Sequence, residues 1–488
     1  MRRSIAPTVL LTSATALVIA LTAPTATAAP QPYKGANTAR VQDDFNGDGY
    51  RDVAVGAPVA KVGKADGAGA VVVLYGSSSG VSTTRKKVIT QDTSGVPGTA
   101  EPGDGFGTSV ETADLDRDGY ADLLIGSPWE SIGTMQGYGS ITVLWGGAGG
   151  LTGGATLAPP TGLNEWGSYS AVIKAADVTG DGYPDVGTGS INGAISFTGP
   201  FTRTGAYAGR RILPPFGTTR GLTTGDLDGD GVAERIWLPG PVGGNLNGDV
   251  WIEDRTGGIH QLPGASGMVG VVADVDKDGY GDLVLGRPWD SAFSSTPGGV
   301  AHTGGEINVW YGSAQGVDPE QTPTVIHQDT AGVPGGGEKA DLFGQSLSAG
   351  DVNGDGYEDV LVGEPGEAIG SRSQAGQSVL LRGSAAGLTG AGATGYQQDT
   401  AGVPGGAEAD DQFGAAVHLA DVNRDGKADM LTGIPGEDDL GALWVTRSGS
   451  SGPVISGSTN VSGKSAGITV GYEEALFGYT MNGARNGL

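Results

Sequence analysis

The apolar residues of this chain fall in short runs between clusters of turn residues. Val53-Ala54-Val55, Leu123-Leu124-Ile125 and Val360-Leu361-Val362 each follow an Asp/Gly-rich segment and close on Gly-x-Pro, at Gly56-Ala57-Pro58, Gly126-Ser127-Pro128 and Gly363-Glu364-Pro365. Runs this short, rich in Val, Leu and Ile and bounded by Gly, Pro and Asp, predict β-strands. A third strand is expected downstream, as in Ile141-Thr142-Val143-Leu144-Trp145-Gly146 and Ile307-Asn308-Val309-Trp310-Tyr311-Gly312. A Gly/Ser turn and a fourth apolar stretch such as Lys87-Val88-Ile89-Thr90-Gln91 complete the unit. Upstream of the first run an aromatic residue precedes a glycine, most clearly at Phe106-Gly107, Phe343-Gly344 and Phe413-Gly414. Four short strands per unit make one propeller blade.

The polar segment joining the first two strands is an acidic loop of nine residues that returns seven times. Its copies start at Asp44, Asp114, Asp177, Asp226, Asp274, Asp351 and Asp421, so the spacings are 70, 63, 49, 48, 77 and 70 residues. A recurrence of this kind points to a repeat architecture. Position 3 holds Asn46, Asp116, Thr179, Asp228, Asp276, Asn353 and Asn423, and position 5 holds Asp48, Asp118, Asp181, Asp230, Asp278, Asp355 and Asp425. Position 7, which offers its backbone carbonyl, is Tyr50, Tyr120, Tyr183, Val232, Tyr280, Tyr357 and Lys427. Position 9 is Asp52, Asp122, Asp185, Glu234, Asp282, Asp359 and Asp429.

Carboxylates at positions 1, 3, 5 and 9 with a carbonyl at position 7 supply the roughly 6–8 oxygens that Ca²⁺ takes, and Gly at position 6 permits the sharp turn. The expected cofactor is therefore Ca²⁺. The absence of a glutamate at position 12 argues against EF-hands. Thr179 and Glu234 depart from the pattern, so the third and fourth loops are expected to bind more weakly. The aromatic-Gly pair also drifts, to Trp166-Gly167, Phe216-Gly217 and Ser266-Gly267, and the Gly-x-Pro ends decay to Gly187-Thr188-Gly189 and Leu238-Pro239-Gly240.

The fixed order of Phe-Gly, acidic loop and Gly-x-Pro over residues 42–488 resembles the FG-GAP repeats of the N-terminal β-propeller of integrin α subunits and of related bacterial exported proteins. The resemblance implies an all-β fold, a seven-bladed propeller with calcium bound at the blade loops. The chain begins with a loop lacking a Phe-Gly strand and finishes with Phe477-Gly478-Tyr479-Thr480, which has no loop after it. Pairing of the N- and C-terminal strands would close the ring and remove the open edges.

Composition narrows the setting. Met1-Arg2-Arg3, an apolar run from Val9 to Leu21 and Ala26-Thr27-Ala28 form a secretory signal peptide over 1–28, followed by a linker at 29–41. Arg2-Arg3 admits a twin-arginine route, although an ordinary basic start explains it as well. With no cysteine among 488 residues, no disulfide or zinc-thiolate site can staple the exported fold. The formal charge is −26, or −28 once Arg2 and Arg3 leave with the leader. Seven bound Ca²⁺ would halve that to about −14 and relieve self-repulsion. This charge disfavours nucleic acid and anionic membrane surfaces as partners, and neither is expected. No membrane span is expected after cleavage, so the protein is read as secreted.

Gly76-Ser77-Ser78-Ser79-Gly80 and Gly463-Lys464-Ser465-Ala466-Gly467 match the nucleophile-elbow pattern. The first is a blade turn, since Gly146-Gly147-Ala148-Gly149-Gly150 takes its place in another blade with no serine, and no helix is expected after either. The four histidines, His260, His302, His327 and His418, show no metal-binding spacing, and only a meeting of His260 with His302 is conceivable. Three near-copies, beginning at Gln91-Asp92-Thr93, Gln328-Asp329-Thr330 and Gln398-Asp399-Thr400, are expected to cross between blades. Trp129-Glu130 and Arg287-Pro288-Trp289-Asp290 are better candidates for specificity, because exposed aromatics suit a sugar or protein surface.

Two functions remain open. The first is a calcium-binding adhesion or binding scaffold for an extracellular protein or carbohydrate. The alternative is a secreted hydrolase, an esterase, phospholipase or polysaccharide-degrading enzyme, with its site on the propeller face. Residues 29–41 are too few for a separate catalytic domain, which favours binding.

Overall fold

The short apolar runs form strands because each can bury both faces between neighbouring sheets. A computed structural model describes residues 42–133, 137–157, 168–190, 193–213, 219–239, 249–289, 301–471, 474–482 and 485–486. The expected leader and linker, Trp166-Gly167 and Phe216-Gly217 lie outside these residues.

Seven antiparallel sheets follow one another along the chain. The second runs Ser109–Ala113, Asp122–Ser127, Ser140–Trp145 and Thr152–Leu157, each strand hydrogen-bonded to the next. The third to seventh repeat this order from Val172–Ala176, Thr219–Gly225, Val269–Ala273, Ser346–Gly350 and Val417–Ala420. The first has Val53–Ala57, Ala70–Leu74 and Lys86–Ile89, and its fourth strand is Thr480–Met481, which pairs Val55 with Met481 and Gly56 with Thr480. Blade 1 thus combines strands from near both ends of the described residues. Arg485–Asn486 adds to the inner edge of blade 6, opposite Leu347 and Ser346.

The fold is a seven-bladed all-β propeller. The only α-helix among the described residues is Gly463–Ala466. No helix among them is long and apolar enough to cross a membrane. Burial explains the sequence pattern: the second strand of every blade is buried throughout, so its run is continuous, whereas the outermost strands, such as Lys86–Ile89 and Gly209–Ile212, are largely accessible. The core consists of layers between blades. Val71, Val73 and Ile89 of blade 1 pack on Leu123, Ile125 and Leu144 of blade 2, and Leu431 and Leu443 of blade 7 pack on Val55 and Val72 of blade 1.

The two diagnostic motifs meet at these layers. Phe106, Phe343, Phe413 and Phe477 are fully buried, each contributing about 1.5–3 kcal/mol by area. The N–H of the following glycine bonds the carbonyl of the Gly-x-Pro glycine in its own blade, as in Gly107 to Gly126 at 3.0 Å and Gly414 to Gly433 at 3.1 Å. The Gly-x-Pro glycine in turn faces the next blade. A methyl on Gly56, Gly286, Gly363 or Gly433 would overlap the carbonyl oxygen of Gly107, Gly344, Gly414 or Gly478. Only glycine permits that approach.

The same contact corrects the register of blade 3. Gly126 lies against the carbonyl of Ser170, so buried Tyr169 with Ser170 holds the Phe-Gly place, three residues after the expected tryptophan. Gly189 alone takes the Gly-x-Pro position there, facing the Thr219 carbonyl at 2.6 Å from where a Cβ would stand. Ending the chain at Leu476 removes Phe477 and the Thr480–Met481 pairing. The melting temperature is expected to fall by several degrees, and an unchanged melting curve would contradict this role.

Candidate functional site

Six acidic loops join the first and second strands of their blades and the Asp44 loop leads into Val53–Ala57 of blade 1, so all seven lie on one face. The position-1 carboxylate wraps its own loop: Asp44 accepts the Gly47 N–H at 2.6 Å and the Gly49 N–H at 2.7 Å, and Asp177, Asp226 and Asp351 repeat both bonds. Position 6 is a left-handed glycine, with φ from +83° at Gly426 to +94° at Gly279. Position 4 is glycine in four loops and Arg117, Lys277 or Arg424 in the others, the last three held at φ near +60°.

The position-9 carboxylate ties the loop to its blade. Asp52 accepts from Phe45 N–H at 3.0 Å and Gly76 N–H at 2.8 Å; Asp122, Asp185, Asp282 and Asp359 make the equivalent pair of bonds. Glu234, with its longer arm, still reaches Leu227 N–H at 2.8 Å. Burial pushes Asp52, Asp122, Asp282 and Glu234 up to about 8, with the neighbouring loop acids adding to the effect and the backbone N–H groups opposing it.

In three loops the acids converge. One oxygen from each of Asp114, Asp116 and Asp122 lies within 4.8 Å of the others, as for Asp226, Asp228 and Asp230 and for Asp274, Asp276 and Asp282. Oxygen sets this dense fit a hard divalent cation. Cations of the protein also engage the loop acids, in the second loop and the first: Arg203 reaches Asp116 and Asp118 at 2.6 Å, and Arg85 reaches Asp48 at 2.6 Å. These arginines are half exposed, so the pairs contribute little. In the seventh loop the Asn423 amide donates to both oxygens of Asp429 and closes the loop on itself.

The loops also touch one another, which their spacing did not reveal. The position-8 N–H donates to the position-1 carbonyl of the preceding loop at Ala121 to Asp44, Ala233 to Asp177, Gly281 to Asp226, Glu358 to Asp274 and Ala428 to Asp351, at 2.8–3.2 Å. Between the second and third loops Pro184 occupies the donor position and has no N–H. There Arg117 lies over the Tyr183 ring, 5.0 Å from its centroid, as Lys277 lies over Tyr357 at 5.2 Å. The basic residues at position 4 were the sequence signal for these bridges.

A cavity of about 460 Å³ opens inside the ring at the loop end, lined by Arg51, Glu111, Lys174, Glu358 and His418 among others. Glu111 pairs with Lys174 at 2.7 Å, and burial raises its carboxyl despite the lysine. Glu358 accepts the Asp274 N–H at 2.9 Å and is pushed up to about 7 by burial. His418 is buried and lowered to about 4 by that burial, with neither ring nitrogen hydrogen-bonded.

The three near-copies do cross between blades, with the same turn in each, as in Val96 N–H to Thr93 O and Val333 N–H to Thr330 O at 2.9 Å. Trp129 is 48 % and Trp289 39 % exposed. Asp290 lies outside the described residues. Gly76–Gly80 is a turn, whereas Gly463–Ala466 is helical, against expectation; Ser465 sits inside that turn with its hydroxyl on Ser462 O at 2.8 Å, so it is no elbow. His302 meets His327, not His260.

Comparison with known proteins gives the FG-GAP repeat family at residues 41–74, 106–144, 343–381 and 413–446. Phosphatidylinositol-glycan-specific phospholipase D of Bos taurus is 28 % identical over 159 residues, 33 % of this chain and 19 % of that one. Integrin alpha-PS5 of Drosophila melanogaster is 29 % identical over 157 residues, 31 % of this chain and 14 % of that one, and integrin alpha-6 of Gallus gallus 31 % over 160 residues, 31 % and 13 %. The chain thus spans less than a fifth of these relatives. A solved Agrocybe aegerita lectin, described as recognising non-reducing terminal N-acetylglucosamine, superposes with a TM-score of 0.48 at 13 % identity, over 89 % of this chain and 94 % of that one.

The buried position-9 acids set a pH dependence. In the cation-free fold Asp52, Asp122 and Asp282 hold protons up to about 8, whereas the unfolded chain releases them near 3.8. The fold then binds more protons, so this stability is full below about pH 4 and is lost as pH rises through about 8. Melting in chelator is expected to weaken steadily from about pH 5 to pH 8; a melting temperature that climbs over that interval would contradict the assignment.

Proposed function

From a chain that carries FG-GAP repeats on a seven-bladed propeller, we propose an exported, calcium-stapled binding scaffold for an extracellular protein or carbohydrate. The carboxylates at positions 1, 3, 5 and 9 and the position-7 carbonyls would hold the ions. Calcium supplies the positive charge that lets these acids stay ionised side by side. Extracellular modules bind Ca²⁺ at about 10⁻⁴–10⁻³ M, so such loops fill outside the cell, and each filled site adds RT ln(1 + [L]/Kd) to the folded state. A leader at 1–28 fits that setting.

The binding reading is carried by Trp129 and Trp289. Both directly follow the proline after a blade's second strand, and both are partly exposed. The antiparallel order of the strands puts those loops, with the inter-blade crossings, on the face opposite the acidic loops. A rigid, half-exposed indole gives contact area at low entropic cost and suits a sugar ring or a protein surface. One face thus carries the structural ions and leaves the other free to vary for recognition.

The purified protein, incubated with cell-wall, polysaccharide and secreted-protein fractions, is expected to be retained on one of them in Ca²⁺ and released in chelator, without soluble product. Trp129→Ala with Trp289→Ala should reduce retention at least tenfold while leaving calcium-dependent melting intact. Calcium-supported product release, or retention indifferent to both tryptophans, would overturn this reading.

A further inference from the structure

The outer edge of blade 5 brings together three side chains that the loops do not use. His302 precedes the strand Glu306–Trp310, and His327 follows the adjoining strand Thr324–Ile326. Their rings stack at 3.6 Å between centroids and 5° between planes. Asp329 stands beside them, with Oδ2 at 3.4 Å from His302 Nε2. One ligand atom from each of the three lies within 4.8 Å of the others.

The crossing repeats provide an internal control. In all three copies the N–H preceding the Gln-Asp pair bonds a threonine hydroxyl, at Thr90, His327 and Gln397, at 2.9–3.0 Å. In all three, Oδ1 of the aspartate accepts a backbone N–H, from Ala100, Gly337 and Ala407, at 3.1–3.2 Å. The scaffold is therefore the same, and Oδ1 is already engaged. What differs is the group met by the other oxygen: Asp399 Oδ2 receives the guanidinium of Arg372, whereas Asp329 Oδ2 faces an imidazole.

The hydrogen bonds fix the chemistry of that imidazole. His302 Nδ1 lies 2.9 Å from the Thr303 carbonyl, which requires a proton on Nδ1 and leaves Nε2 as the free lone pair. A lone pair aimed at a carboxylate oxygen is repulsive unless a positive centre stands between them. A metal ion is such a centre. His327 Nδ1 is itself buried and makes no hydrogen bond. Imidazole held through its other nitrogen by a backbone carbonyl, and carboxylate held through its other oxygen, are the outer bonds typical of metal ligands. The backbone of His302 is anchored as well, its N–H on Glu306 at 2.8 Å, and Glu306 pairs with buried Arg287.

We propose that His302, His327 and Asp329 bind one borderline divalent transition ion, of the Zn²⁺, Co²⁺ or Ni²⁺ class, independently of the acidic loops. Two imidazole nitrogens and one carboxylate oxygen select such an ion over Ca²⁺. Three protein ligands leave a position open to water or to a donor from a bound partner. The lone pairs of parallel rings do not converge on one point about 2.0–2.1 Å from each nitrogen, so binding fans the two imidazoles apart. The partial exposure of both rings leaves room for that movement.

The test titrates tag-free protein with Co²⁺ and Zn²⁺ in excess Ca²⁺, which occupies the oxygen sites. One equivalent is expected, with a visible cobalt spectrum showing nitrogen ligation. His327→Gln with His302→Arg, which borrow the residue types of the sister crossing, should weaken binding by more than the roughly 10–100-fold that losing an outer-shell partner costs. Calcium-dependent melting of that variant should match the wild type, which shows that it folds. No bound equivalent, or one that the variant retains with equal affinity, would overturn the proposal and leave a stacked pair neutralised by a proton.

Discussion

The constraint on which the rest of this structure depends is the crowding of carboxylates into a ring of touching loops. The position-1 aspartate folds its own loop through its side chain and, in five of the loops, receives the next loop through its carbonyl, as Asp274 does with Gly279 and Glu358. Each position-9 carboxylate is buried, and the six aspartates among them anchor the end of the third strand. The groups that organise one face of the propeller are thus the groups that repel one another. Protons relieve the repulsion at low pH, the arginines Arg85, Arg203 and Arg255 relieve it in part, and a divalent cation relieves it without giving up the charge on the acid.

On the other side of each blade the constraint is steric. The Phe-Gly and Gly-x-Pro motifs are two halves of one inter-blade contact, in which a glycine carbonyl sits where a side chain would be. That explains why blade 3 can lose the phenylalanine yet keep its place. In blade 3 Tyr169 fills the aromatic socket, and Gly189 preserves the close approach.

The fold was legible because its signals are periodic. Seven loops, the strand runs beside them and the two halves of one blade at the chain ends all follow from reading the sequence in register. The site was legible only in part. Loop membership follows from spacing, but the contacts from Arg117 to Tyr183 or from Ala121 to Asp44 join residues of different blades and leave only a faint trace, a basic residue where glycine is usual. The meeting of His302 with His327 left none, since it depends on which strands are neighbours. Register in blade 3 misled because Trp166-Gly167 imitates a motif that the contact geometry assigns to Tyr169-Ser170.

The two proposed metal chemistries divide along these lines. Hard oxygen loops, repeated around the ring, act on the stability of the whole; a nitrogen-rich set occurs in one crossing of three and acts locally. The claim that cations organise the loop ring is tested most directly by hydrogen exchange of the loop amides. Peptides spanning Asp44–Asp52, Asp114–Asp122 and Asp274–Asp282 are expected to slow their exchange together as Ca²⁺ is added, with smaller gains at Asp177–Asp185 and Asp226–Glu234. Exchange at these amides that is unchanged between Ca²⁺ and chelator would contradict the account.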